Sequence, residues 1–102
     1  MGIDVQISPQ TRNAVTVSDA RGYFAEVLMS TSVQQTTCLR FIDPCGQPFF
    51  NGLQLPVLVE ELEALALSTM DEQVRLHLDK VIELVRDAIT TGPHHFVLFV
   101  GD

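Results

Sequence analysis

The residues with which this 102-residue chain can do chemistry are three histidines (His77, His94 and His95), two cysteines (Cys38 and Cys45) and a run of carboxylates. A metal centre needs several such ligands to converge on one ion. Their spacing opposes this. Cys38 and Cys45 form no CxxC, and no HExxH occurs. His94 and His95 precede an apolar run that reads as a strand, where successive side chains face opposite ways, so one of the pair points away from any shared site. His77 falls at the edge of a helix. No metal and no cofactor is expected. Nucleophilic catalysis would need the Cys45 thiol, His94 or His95 as base and Asp43 to orient the imidazole. Nothing local activates that thiol, and Asp43-Pro44-Cys45-Gly46 already has the chemistry of a type I turn. The scattered glycines offer no phosphate-cradling loop. No catalytic residue is assigned. A small enzyme or metal protein using Cys38, Cys45, His77, His94 and His95 stands as the second reading.

The carboxylates carry the first reading. Glu60, Glu61, Glu63, Asp71 and Glu72 fall within thirteen residues that hold no Lys or Arg. Leu76 lies beside them on the solvent side by helical phase. The formal charge is −7, and residues 52–102 hold nine acids against three bases. Without a basic cluster, nucleic acid is not an expected partner, and anionic membrane surfaces are disfavoured for the same reason. A basic protein partner is permitted, since complementary charge speeds encounter. A solvated helix face is the plainer account of such acids. The functional expectation is a non-enzymatic, cytoplasmic protein-interaction domain of the immunity or regulatory-partner type, with those five acids and Leu76 as its binding residues. Its oligomeric state is not legible.

The elements that must position these residues follow from periodicity. Ile3, Val5 and Ile7 alternate with polar residues, as in a half-buried strand. Residues 14–17 read as a second strand with Val15 and Val17 inward, forming a hairpin with the first. Ser18 can cap a helix over residues 19–29, with Ala20, Phe24, Val27 and Leu28 on one face. Gly22 would cost that helix about 1 kcal/mol, and a strand over residues 23–28 is the rival. Residues 38–42 read as a strand leading into the Asp43 turn. Residues 47–50 return at an edge, because Pro48 cannot donate to a ladder.

Asn51-Gly52 turns the chain into a helix from Pro56 to about residue 67, with Leu55, Leu58, Leu62, Leu65 and Ala66 inward. Thr69 and Glu72 have capping-box spacing at the start of a second helix, which Gly92 and Pro93 stop. Its inward face is Val74, Leu78, Val81, Ile82, Val85 and Ile89. Its outward face is Asp71, Arg75, Asp79, Glu83 and Asp87. Residues 96–100 are apolar throughout, so they belong inside a sheet, paired with residues 38–42. Phe41 and Leu98 are then expected to be buried neighbours.

With 46% hydrophobic residues the chain can bury a core, as one domain. No apolar run reaches the roughly 20 residues of a membrane span. The start lacks the basic and apolar regions of a secretory signal, and Gln6 breaks a myristoylation motif. Two cysteines in such a chain read as reduced thiols. The opening Met-Gly-Ile-Asp-Val, the Cys-Leu-Arg-Phe-Ile-Asp-Pro-x-Gly stretch, Leu-Gln-x-Pro before Glu-Glu-Leu, and the closing Phe-Val-Gly-Asp resemble a family of small bacterial proteins of unassigned function. The resemblance implies a bacterial, cytoplasmic origin and no activity. The expected fold is a single small α+β domain. It has a mainly antiparallel sheet of three to five strands and about three helices packed on it, in the order β-β-α-β-(β)-α-α-β.

Overall fold

The alternation of Ile3, Val5 and Ile7 with Asp4, Gln6 and Ser8 becomes strand β1 (Ile3–Ser8), the first three residues buried and the others half-buried in a computed structural model. The structure describes residues 2–8, 16–19, 21–29, 33, 35–42, 46–92 and 94–101. Along it follow α1 (Tyr23–Val27), a 3-10 helix (Leu39–Phe41), β2 (Phe49–Phe50), α2 (Leu55–Ser68), α3 (Glu72–Thr91) and β3 (Phe96–Gly101). The fold is α+β and, among the described residues, has three α-helices and a three-stranded antiparallel sheet in the order β1-β3-β2. Val5 also exchanges two backbone hydrogen bonds with Val17, at 2.9 and 2.8 Å, on the other side of β1. Residues 14 and 15 of the expected second strand lie outside the described residues.

The uniformly apolar last strand is central, as its composition implies. Its neighbours are β1 and β2, however, and not residues 38–42. Cys38 instead caps a single 3-10 turn, and the expected strand there does not form. Phe41 is consequently 61% exposed, with the Arg40 guanidinium 4.7 Å over its ring. Leu98 lies on the half-buried outer face of the sheet, opposite Gln6 and Phe49. The Phe41–Leu98 expectation was therefore wrong. Val97 and Phe99 point inward, and Phe99 packs its ring against Phe24 and Phe50 at 5.7 and 5.6 Å.

Helix α1 starts later than its expected first residue. Gly22 is the residue before it, at φ 71°, a conformation that glycine adopts without a Cβ penalty. Read inside a longer helix, Gly22 is a cost; at this boundary it suits its position. Phe24 and Leu28 are buried as expected, and Ala20 is outside the described residues.

Helix α2 buries Leu55, Leu58, Val59, Leu62, Leu65 and Ala66, the expected stripe plus Val59. Asn51 and Gln54 open it reciprocally. The Asn51 Oδ1 accepts from the Gln54 N–H at 3.2 Å, and the Gln54 Oε1 accepts from the Asn51 N–H at 2.9 Å. The box expected at Thr69 and Glu72 is absent. Asp71 caps α3 by accepting from the N–H groups of Gln73 and Val74, while the Thr69 hydroxyl donates back to the Leu65 carbonyl at 2.7 Å. Helix α3 buries Leu78, Val81, Ile82, Leu84, Val85 and Ala88, with Val74 half-buried and Ile89 exposed. It lies on β1 and β3. Helix α1 packs against it, and α2 packs on α3 and the 3-10 helix. Among the described residues no helix is long and apolar enough to cross a membrane.

Candidate functional site

The six residues assigned to partner binding sit on α2, on α3 and on the short connection between them, and the structure gives them different work. Glu60 and Glu72 are exposed, and neither has an ion-pair partner among the described residues. Glu63, on the flank of α2, lies 3.1 Å from the Arg86 guanidinium, a pair exposed enough to be worth under about 1 kcal/mol. Asp71 caps α3 yet stays exposed, so its charge still faces solvent. Leu76 is 52% exposed, as helical phase implies.

Glu61 is spent on the fold. One helical step from Glu60, it turns toward the 3-10 helix and accepts the N–H groups of Thr37, Cys38 and Leu39, the latter two at 2.8 and 3.2 Å. These are orphan donors of a helix start, which no local side chain satisfies. Glu61 is thus a half-buried tether between α2 and the 3-10 helix, its carboxylate taken up by three backbone donors.

Exposed apolar residues at both ends of α2 escaped the sequence reading. Leu67 and Met70, at the end of α2 and in the connection, are 86% and 95% exposed. Their signal was available: Leu67 falls opposite the buried stripe of α2, and Met70 stands between two helices. Leu53, 90% exposed, precedes α2 and borders an open depression lined by Asn51, Gly52, Leu53, Ile89 and Gly92.

The residues of the enzyme or metal reading go to separate places. Cys38 is buried, its sulfur 4.0 Å from the Gln54 carbonyl oxygen. Burial, aided by the Glu61 charge, pushes its thiol pKa up, which disfavours a nucleophilic thiolate. Cys45 and Asp43 lie outside the described residues. His94 is exposed in a turn, and His95 is half-buried with a buried Nδ1. Among the described residues no three His, Cys, Asp or Glu side chains are grouped to hold a metal ion.

His77 is more informative. It is half-buried on α3, its ring against Tyr23 and Phe24, with its Nε2 3.6 Å from the Asp19 Oδ1. That distance is too long for a hydrogen bond, and the Nε2 has no partner among the described residues. Burial lowers the His77 pKa most. Lys80 acts in the same direction, while Asp19 and Asp4 oppose it.

Asp19, which the sequence offered only as a first helical residue, is the one buried charged side chain among the described residues. Its carboxylate accepts from the N–H groups of Ile3, Phe24 and Ala25 at 2.9, 3.1 and 3.1 Å. Its own N–H donates to the Asp4 Oδ1 at 2.8 Å. A Cβ on Gly2 would collide with the Asp19 backbone carbonyl oxygen, so only glycine permits this approach. Asp19 and His77 have the residue types of a catalytic pair, but the carboxylate is already taken up by three backbone donors. It clasps β1 to the start of α1.

No family model, no curated protein and no solved structure matches the chain.

Proposed function

We propose that this chain is a non-enzymatic, cytoplasmic protein-interaction domain that offers the outer surface of α2 and α3 to a basic protein, as an immunity or regulatory partner would. The supporting observation is the make-up of that surface. Residues 55–91 hold eight acids against three bases, and Leu67, Met70 and Leu76 are exposed among them. Glu60, Glu63, Asp71 and Glu72 supply the field, which reaches about 8 Å at physiological ionic strength. The exposed apolar side chains supply contact area once the partner has docked. Steering of this kind acts on the association rate, and desolvated apolar anchors act on the dissociation rate.

The test uses a partner captured from native lysate and immobilised for kinetics. Association is expected to slow with added salt and to slow further in Glu60→Lys, whose stability is unchanged because Glu60 is exposed in mid-helix. Leu76→Ala is expected to raise the dissociation rate. Unaltered rates in these variants would remove this surface from the interaction.

A further inference from the structure

The two long helices sort their side chains differently. Helix α3 is apolar where it meets the core, and its exposed side is dominated by Arg75, Asp79, Lys80, Glu83, Arg86 and Asp87. Helix α2 differs, with three Glu and no Lys or Arg in its fourteen residues. Opposite its buried stripe, Val57, Glu60, Ala64 and Leu67 recur at helical spacing, all exposed, with Glu60 the only charge among the four. Leu53 precedes this row on the same side by helical phase, and Met70 follows it. Exposed apolar side chains gathered in a row, and not scattered singly, mark an interaction surface. The other side of α2 meets α3 and the 3-10 helix.

We infer that the Val57–Glu60–Ala64–Leu67 row of α2 is a docking surface for a basic amphipathic helix of another protein. This rests on the proposed interaction function and names both the face and its occupant. Val57 and Leu67 are ten residues apart, about 15 Å along the helix, which matches two to three turns of a partner. Ala64 lets a second helix approach closely, and apolar residues at i, i+3, i+4 and i+7 of that helix would meet Val57 and Leu67. The charge sets the choice of partner. The fourteen residues of α2 hold three Glu and no Lys or Arg, and the chain carries −7. Two copies packed through this row would bring two surfaces of the same sign together, which like charge opposes. A Lys or Arg in the middle of a different helix meets Glu60 favourably, since Glu60 is exposed and has no ion-pair partner among the described residues.

The experiment titrates the isotope-labelled full chain with three synthetic peptides: an amphipathic helix with a Leu stripe flanked by Lys, a scramble of the same composition, and the same helix with Glu for Lys. Amide shifts, fluorescence binding and sedimentation are recorded together. The Lys helix is expected to shift residues 57–67 and to bind about tenfold or more tightly than either control. Leu67→Asp is expected to abolish that preference with the unfolding midpoint intact, Phe49→Ala on the sheet is expected to keep it, and the chain alone is expected to sediment as a monomer. Equal binding of the Lys helix and its scramble overturns the docking row but leaves the acidic interaction surface standing. No binding of either Lys peptide overturns both. Shifts centred on the sheet, or a dimer that Leu67→Asp dissolves, also overturn the inference, the latter by making a second copy the occupant.

Discussion

Replacing Asp19 by Ala removes the acceptor for three backbone donors at once. The N–H groups of Ile3 and Phe24 are in buried hydrogen bonds, and that of Ala25 is partly buried. A buried donor left without a partner costs about 1–3 kcal/mol, and water can replace the acceptor only at Ala25. The expected loss is therefore about 4 kcal/mol, a large share of the 5–15 kcal/mol typical of a folded domain. Asp19→Asn keeps the shape and one acceptor oxygen. With that oxygen at the Oδ2 position, Ile3 and Ala25 stay satisfied, and the new NH2 group faces the Phe24 N–H and the unpartnered His77 Nε2. One donor facing a donor where a hydrogen bond stood gives an expected cost of about 1–3 kcal/mol, below that of Asp19→Ala. Urea unfolding with the m-value held constant measures both losses. Native-state amide exchange at Ile3, Phe24 and Ala25 locates them. An Asp19→Ala loss below about 1 kcal/mol, or exchange at these amides no faster than in the parent, would refute the clasp.

Further outcomes follow from the same contacts. Glu61→Ala is expected to cost about 1–3 kcal/mol and to speed amide exchange at Cys38 and Leu39, whereas Glu60→Ala, its neighbour, should stay within about 0.5 kcal/mol; equal effects in one urea series would contradict the tether. His77 is held neutral by burial, so the unfolded chain takes up a proton near pH 6.5 that the folded chain resists. Its contribution to stability is complete above about pH 6.5 and is lost as pH falls toward the lowered folded pKa; unfolding midpoints between about pH 7 and pH 5 are expected to fall less steeply in His77→Phe. Phe99→Ala is expected to cost about 3–5 kcal/mol and Phe41→Ala less than about 1 kcal/mol, and urea midpoints in the reverse order would put Phe41 back in the sheet.

The long periodic segments were legible because each repeats its message. Five core residues of α2, four of α3 and the alternation of β1 all lie where their periods place them. What escaped depends on partners distant in sequence. Over residues 38–42 a strand and a 3-10 turn are too short to separate by period, and the carboxylate that settles the matter, Glu61, lies 23 residues beyond Cys38. Asp19 likewise looked local, although it accepts from Ile3, sixteen residues before it. At the start of α3 two capping chemistries compete within three residues, and Asp71 prevails over Thr69. The exposure of Glu60, Glu72 and Leu76 follows from phase alone. The diversion of Glu61 required the neighbouring element. The outer row of α2 was available to the same reading, since its fourteen residues contain no Lys or Arg.

The claim that the helical layer, and not the open face of the sheet, receives the partner is tested most directly by hydrogen exchange of the chain with and without a captured partner. Protection and cross-link sites are expected on the exposed side of α2 and the first turns of α3, from Val57 through Leu76. The sheet face formed by Phe49, Phe96, Leu98 and Val100 is expected to be unchanged. Protection confined to that sheet face, with α2 exchanging as in the isolated chain, would contradict the account.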